Sequence, residues 1–142
     1  MKTVFSLIVI LILSLGSCSR NVQTSGTEKY QQTATDKFGD GQFDCSENQD
    51  MTFALCKHQL NTPGSTIQSW EYFVFDKKNE KVTVSETIDK GSVKWVSNSE
   101  IQVSKIPGTM TVDQTMDDYT WIVNVVTGER TKKSEYKKQQ QN

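Results

Sequence analysis

The apolar residues of this chain fall into two regimes. Residues 4–15 run almost without interruption, broken only by Ser6 and Ser14, and nothing later in the chain matches that density. From residue 51 onward the apolar positions come instead in short segments separated by polar turns. Residues 51–56 (MTFALC) form the first, and residues 67–75 (IQSWEYFVF) the strongest, dense in aromatic and β-branched side chains. Residues 76–80 (DKKNE) read as a turn, after which residues 81–85 (KVTVS) alternate with a period of two. Residues 92–96 and 100–105 flank Ser97-Asn98-Ser99. Residues 120–126 and 129–132 flank Thr127-Gly128, where glycine suits a positive φ.

Strands this short, with turn signals at roughly 8–12-residue intervals, predict a mainly β fold. The expected architecture is a small antiparallel meander closing toward a barrel or sandwich, after a signal helix and a flexible tether. One core should take Trp70, Tyr72 and Val74, or their neighbours Phe73 and Phe75, with Val82, Val84, Val93, Trp95, Ile101, Val103, Trp121 and Val123. Residues 19–42 are rich in Ser, Thr, Gln, Asn, Gly and Lys, too polar to offset the entropy of ordering. The chain therefore divides into a signal peptide at 1–17, a lipidated N-terminus and flexible tether at 18–42, a β domain at 43–132, and a disordered, basic and Gln-rich tail at 133–142.

The first segment has the three parts of a secretory signal: a positive charge at Lys2, an apolar core of about a dozen residues, and a small-residue exit. Twelve helical residues cover roughly 18 Å, against about 30 Å of hydrocarbon, so the core is too short to span a bilayer. Its exit, Leu15-Gly16-Ser17-Cys18, resembles the lipobox of bacterial lipoprotein precursors. That resemblance implies cleavage before Cys18, diacylation of its thiol and further acylation of its new amino group. Two or three chains, each gaining about 0.8 kcal/mol per buried methylene, anchor a protein stably where one is marginal. Ser19 is not the aspartate that retains many such proteins at the inner membrane, so the resemblance favours the outer membrane of the cell envelope.

Removing 17 of the 142 residues leaves 125, with 15 Lys plus Arg against 17 Asp plus Glu. This balance does not suit a nucleic-acid binder. With Cys18 committed to lipid, Cys45 and Cys56 remain as a candidate disulfide in an exported protein. The basic cluster at the C-terminal end, including Arg130, Lys132, Lys133, Lys137 and Lys138, reads as a solvated end that keeps an edge strand from pairing.

Residues 36–47 (DKFGDGQFDCSE) resemble the twelve-residue calcium loop of EF-hand proteins. Asp36, Asp40, Asp44 and Glu47 fall at its first, fifth, ninth and twelfth places, and Gly41 at its sixth. Phe38 at the third place offers no oxygen, no second loop accompanies it, and the preceding residues lack the apolar stripe of an entering helix. The assignment is therefore no metal and no cofactor, with a calcium-stabilised module kept as an alternative.

His58 is the single histidine and no Gly-x-Ser-x-Gly elbow accompanies it. Asp117 and Asp118 are adjacent, and neighbouring residues on a strand face opposite ways. No enzymatic activity is expected. The tryptophans Trp70, Trp95 and Trp121 read as core filling, with one at a rim offering a route to a carbohydrate or peptide ligand. The expectation is a membrane-anchored, non-catalytic binding or structural module whose partner is an envelope protein or polymer. An inhibitor-type β-barrel resembling the periplasmic lysozyme inhibitors is the other alternative, on fold class alone.

Overall fold

The computed structural model describes residues 27–39, 41–60 and 68–140. The signal segment, Cys18, the start of the expected tether and Asp40 lie outside the described residues. The elements, in order, are α1 (Thr27–Phe38), β1 (Phe43–Glu47), β2 (Phe53–Leu60), β3 (Ser69–Asp76), β4 (Lys81–Ile88), β5 (Gly91–Trp95), β6 (Glu100–Lys105), a 3-10 turn (Met116–Tyr119), β7 (Thr120–Asn124), β8 (Arg130–Lys132) and α2 (Lys133–Gln139).

The strands form two antiparallel sheets, β1-β2-β3-β4 and β5-β6-β7-β8, each a meander of sequence neighbours. The mainly β expectation holds, and the two sheets are not closed into a barrel. The chain passes from one to the other at Asp89 and Lys90. The corner is pinned by bonds from Gly91 N to Gln68 O (3.2 Å) and from Ile106 N to Lys90 O (2.8 Å). Gly91 is required there: a Cβ would stand 1.9 Å from the carbonyl oxygen of Ser104.

The central strand β3 buries both of its faces, and this divides the interior in two. Tyr72 and Val74 pack with Leu55, Val84, Ile88, Val93, Ile101, Val103, Val123 and Val125 between the sheets, where Phe53, Trp70, Trp95 and Trp121 join them. Phe73 and Phe75 point the other way and pack with Ala54, Cys56, Tyr30 and Ala34. The second cluster lies under α1. The first sheet is therefore a middle layer, covered by a helix on one face and by the second sheet on the other.

Helix α1 corrects the expectation of a flexible tether through residue 42. Its apolar positions Tyr30, Ala34 and Phe38 recur every four residues and form one stripe. Only three residues carry the stripe, and one of them is an alanine, so it is faint in the sequence. Docking supplies the stability, because twelve residues are marginal as an isolated helix. The helix stops at Gly39, whose φ of 71° lets its N–H turn back to Thr35 O at 2.8 Å.

The expected disordered tail is corrected in the same way. Lys133–Gln139 form α2, which lies along the second sheet; the Tyr136 hydroxyl donates to Glu100 Oε2 (3.2 Å), and Lys133 and Lys137 pair with Asp117. Val82 is the one expected core residue that lies outside. A bulge between Val74 and Phe75 places Val82 opposite Phe75 on the edge strand, where it is 41% exposed.

Candidate functional site

The largest described concavity lies where β1 begins. It has a volume of about 470 Å³ and is lined by Gly41, Gln42, Phe43 and Asp44, by Lys57, His58 and Gln59 of β2, and by Trp70 of β3. That size is typical of small-ligand clefts. Gly41 sits against the imidazole of His58, and a Cβ there would come within 2.7 Å of the ring carbon Cε1. His58 donates from Nδ1 to the carbonyl of Gln42 at 2.8 Å. Phe38 stacks on the same ring, with centroids 5.5 Å apart and planes 25° apart. The imidazole is thus a fixed part of the wall.

The polar side of the cleft belongs to a row across the sheet. Asp44 stands opposite Lys57, Lys57 opposite Tyr72, and Tyr72 opposite Glu86, so these four side chains share one face. Lys57 Nζ lies 3.7 Å from Asp44 and 5.3 Å over the ring of Trp70. At the far end of the row Glu86 accepts from Lys105 (2.7 Å), Arg130 (2.8 Å) and the buried Tyr72 hydroxyl (3.1 Å). Lys105 also covers Trp121, 5.7 Å from its centroid. Burial pushes the Glu86 carboxyl up, but hydrogen bonds from Lys105 and Arg130 outweigh it and hold the group below its usual range. Burial first, and the Glu86 charge second, push the Tyr72 phenol far above its ordinary value. This row ties the two sheets together along one side.

The three tryptophans occupy different places. Trp95 donates from Nε1 to Ser46 O at 3.0 Å and closes the opposite end of the sandwich. Trp121 lies beneath Lys105. Trp70 is the one that reaches the cleft, and its buried indole N–H has no hydrogen-bond partner among the described residues. A buried donor left without an acceptor costs about 1–3 kcal/mol.

The remaining sequence candidates disperse. Asp36 lies on α1 and accepts from Gln32 (2.9 Å), Asp44 and Glu47 lie on β1, and Glu47 pairs with Lys77 (2.7 Å). The segment that resembles a calcium loop contains a helix end, up to Phe38, and a strand from Phe43. Positions three apart on a strand face opposite ways, so Asp44 and Glu47 cannot converge on one ion; no group of three metal-ligating side chains occurs among the described residues. Asp117 is held as an anion chiefly by Lys137, and Asp118 chiefly by the backbone N–H of Thr115. Both sit in the 3-10 turn, committed to ion pairing and capping. Cys45 and Cys56 stand directly opposite in the β1–β2 register and form a disulfide.

Sequence reading missed Gln42, Lys57 and Gln59 as cleft residues. β2 continues four residues past the apolar run that announced it, and its polar continuation supplies Lys57 and Gln59. The only available signal was the alternation of Leu55, Lys57 and Gln59 along one face. No protein-family model, curated protein or solved structure matches this chain. Among the described residues no helix is long and apolar enough to cross a membrane.

Proposed function

We propose that this chain is the precursor of a lipid-anchored lipoprotein of the cell envelope whose folded domain is a non-catalytic binding or structural module. One observation carries the reading. The chain has three cysteines, Cys45 and Cys56 bond to each other, and the remaining one is Cys18, at the place the lipobox resemblance assigns to acylation. A disulfide between adjacent strands also fits an oxidising compartment beyond the cytosol.

The cleft supports the binding half of the reading. Two aromatic rings, an ammonium, a carboxylate, two amides and an imidazole line a shallow space, which suits a polar polymer such as a glycan or an extended peptide. Among the described lining residues no hydroxyl or thiol stands beside His58.

Intact-mass measurement of the membrane-extracted protein tests the anchor. The expected species begins at Cys18 and carries acyl mass, and Cys18→Ser abolishes both. A species that still begins at Met1, without acyl mass, overturns the reading. Crosslinking on intact membranes tests the module, and one enriched partner is expected. Its recovery should fall in a Lys57→Ala/Gln59→Ala variant, and equal recovery removes the cleft from the account.

A further inference from the structure

Four turns gather at one end of the domain. The β1–β2 turn joins the β5–β6 turn through Asn48 Nδ2 donating to Asn98 O (2.6 Å). It joins the β3–β4 turn through Lys77 N to Thr52 O (3.0 Å), and the β7–β8 turn joins the β5–β6 turn through Val125 N to Ser99 O (2.8 Å). Helix α1 begins at the same end: Tyr30 packs on Phe75 at the close of β3, and Lys29 pairs with Glu80 of the β3–β4 turn. Its C-terminal residue Phe38 lies at the other end, against Phe43 and His58.

Three of these turns carry an exposed aliphatic or thioether side chain. Met51 is 66% exposed, Val126 62% and Val96 45%. Met51 is the most telling. It holds a φ of 59°, a left-handed conformation it shares with the charged Glu80 (φ 52°) of the β3–β4 turn, but with an apolar side chain directed to solvent. Its side chain is not part of either core cluster. Nothing in the folding of the turn accounts for methionine there.

We infer that this end of the domain is its membrane-facing surface, with Met51, Val96 and Val126 seated in the interfacial layer of the bilayer that holds the lipid on Cys18. The inference rests on the lipoprotein reading. Eight residues lie between Cys18 and Thr27, and the nine Cα–Cα steps between the two span at most about 32 Å even fully extended. The start of α1, and with it the cluster of turns, is therefore confined close to the bilayer. At that distance the effective concentration of the tips at the surface is high, so shallow insertion of a few apolar side chains suffices. Charges of both signs surround the tips, Lys77, Lys78 and Lys81 beside Asp50, Asp76 and Glu80, so apolar insertion rather than attraction to anionic lipid sets the orientation. The opposite end, where β6 finishes and β7 begins, also exposes apolar side chains (Ile106, Met110, Val112 and Met116), so the short connection to Cys18, and not exposure alone, selects the turn end.

The chain supplies its own reporters. In the lipidated protein on phosphatidylcholine vesicles, a mild methionine oxidant is followed by peptide mass spectrometry. By exposure alone Met51 (66%) should oxidise fastest, ahead of Met110 (44%) and Met116 (42%). The expected result is the inverse order, with Met51 several-fold slower than both. A Val96→Asp/Val126→Asp variant, with the acyl mass unchanged, should restore rapid oxidation of Met51. Fast oxidation of Met51 on vesicles, or protection of Met110 and Met116 instead, overturns the orientation and leaves the lipoprotein reading intact. Absence of acyl mass on the same sample overturns both.

Discussion

Replacing Tyr30 by alanine tests whether the N-terminal helix belongs to the folded domain. Tyr30 is 5% exposed, its ring lies 6.5 Å from that of Phe75, and Lys77 sits over it at 5.9 Å. Truncating a fully buried large aromatic to alanine costs about 3–5 kcal/mol. A helix at the rim of a domain relaxes into the space more readily than a central strand, which brings the expectation down to about 2–3 kcal/mol. With a urea m-value of about 2 kcal/mol/M for a domain of this size, the midpoint should fall by about 1–1.5 M. The melting temperature should fall by about 10 °C. Chemical denaturation of the variant beside wild type, with exposed Gln31→Ala on the same helix as control, makes the measurement. The control should stay within about 0.5 kcal/mol of wild type. If Tyr30→Ala matches the control, residues 27–38 do not pack on the sheet, and the two-faced burial of β3 is wrong.

Removing the disulfide with Cys45→Ala/Cys56→Ala should lower stability by about 3 kcal/mol, since the bond closes an 11-residue separation; equal denaturation midpoints for variant and oxidised wild type would contradict this. Asn48→Ala should cost about 2–3 kcal/mol, because the side chain accepts from Phe53 N (2.9 Å) and donates to Asn98 O (2.6 Å), and both partners are left wanting; a change within 0.5 kcal/mol in thermal unfolding would refute it. The Glu86 carboxyl is held below its ordinary value in the folded state, so its contribution is present above that value and lost as pH falls through the depressed one. Lys105 and Arg130 are each two-fifths exposed, which limits the gain to about 1 kcal/mol. Glu86→Gln should flatten the acid limb of the stability–pH curve below about pH 4.5, and an unchanged limb would show that the row does not tie the sheets.

Much of the strand order was legible in the sequence. Turn chemistry at residues 76–80, 97–99 and 127–128, with period-two alternation beside it, determines local structure through backbone sterics and side-chain packing across a single sheet. Those effects act over a few residues and survive in one dimension. The proposed address segment rests on the same kind of signal, since a lipobox resemblance is read in linear order. The sequence alone also limited the cysteines to one plausible pair once Cys18 was set aside.

Only the tertiary structure decided what covers each face. The segment IQSWEYFVF is apolar on both sides, and periodicity cannot say whether Tyr72 or Phe73 meets the core when both do. Three residues of α1 make too faint a stripe to announce a helix, yet they suffice once Phe73 and Phe75 present a surface to cover. The same holds for the acidic segment, where Asp36 falls on a helix and Asp44 and Glu47 on a strand because β2 offered Phe43–Glu47 a pairing partner. Burial is a property of surfaces that meet in space, and a sequence records only the surfaces.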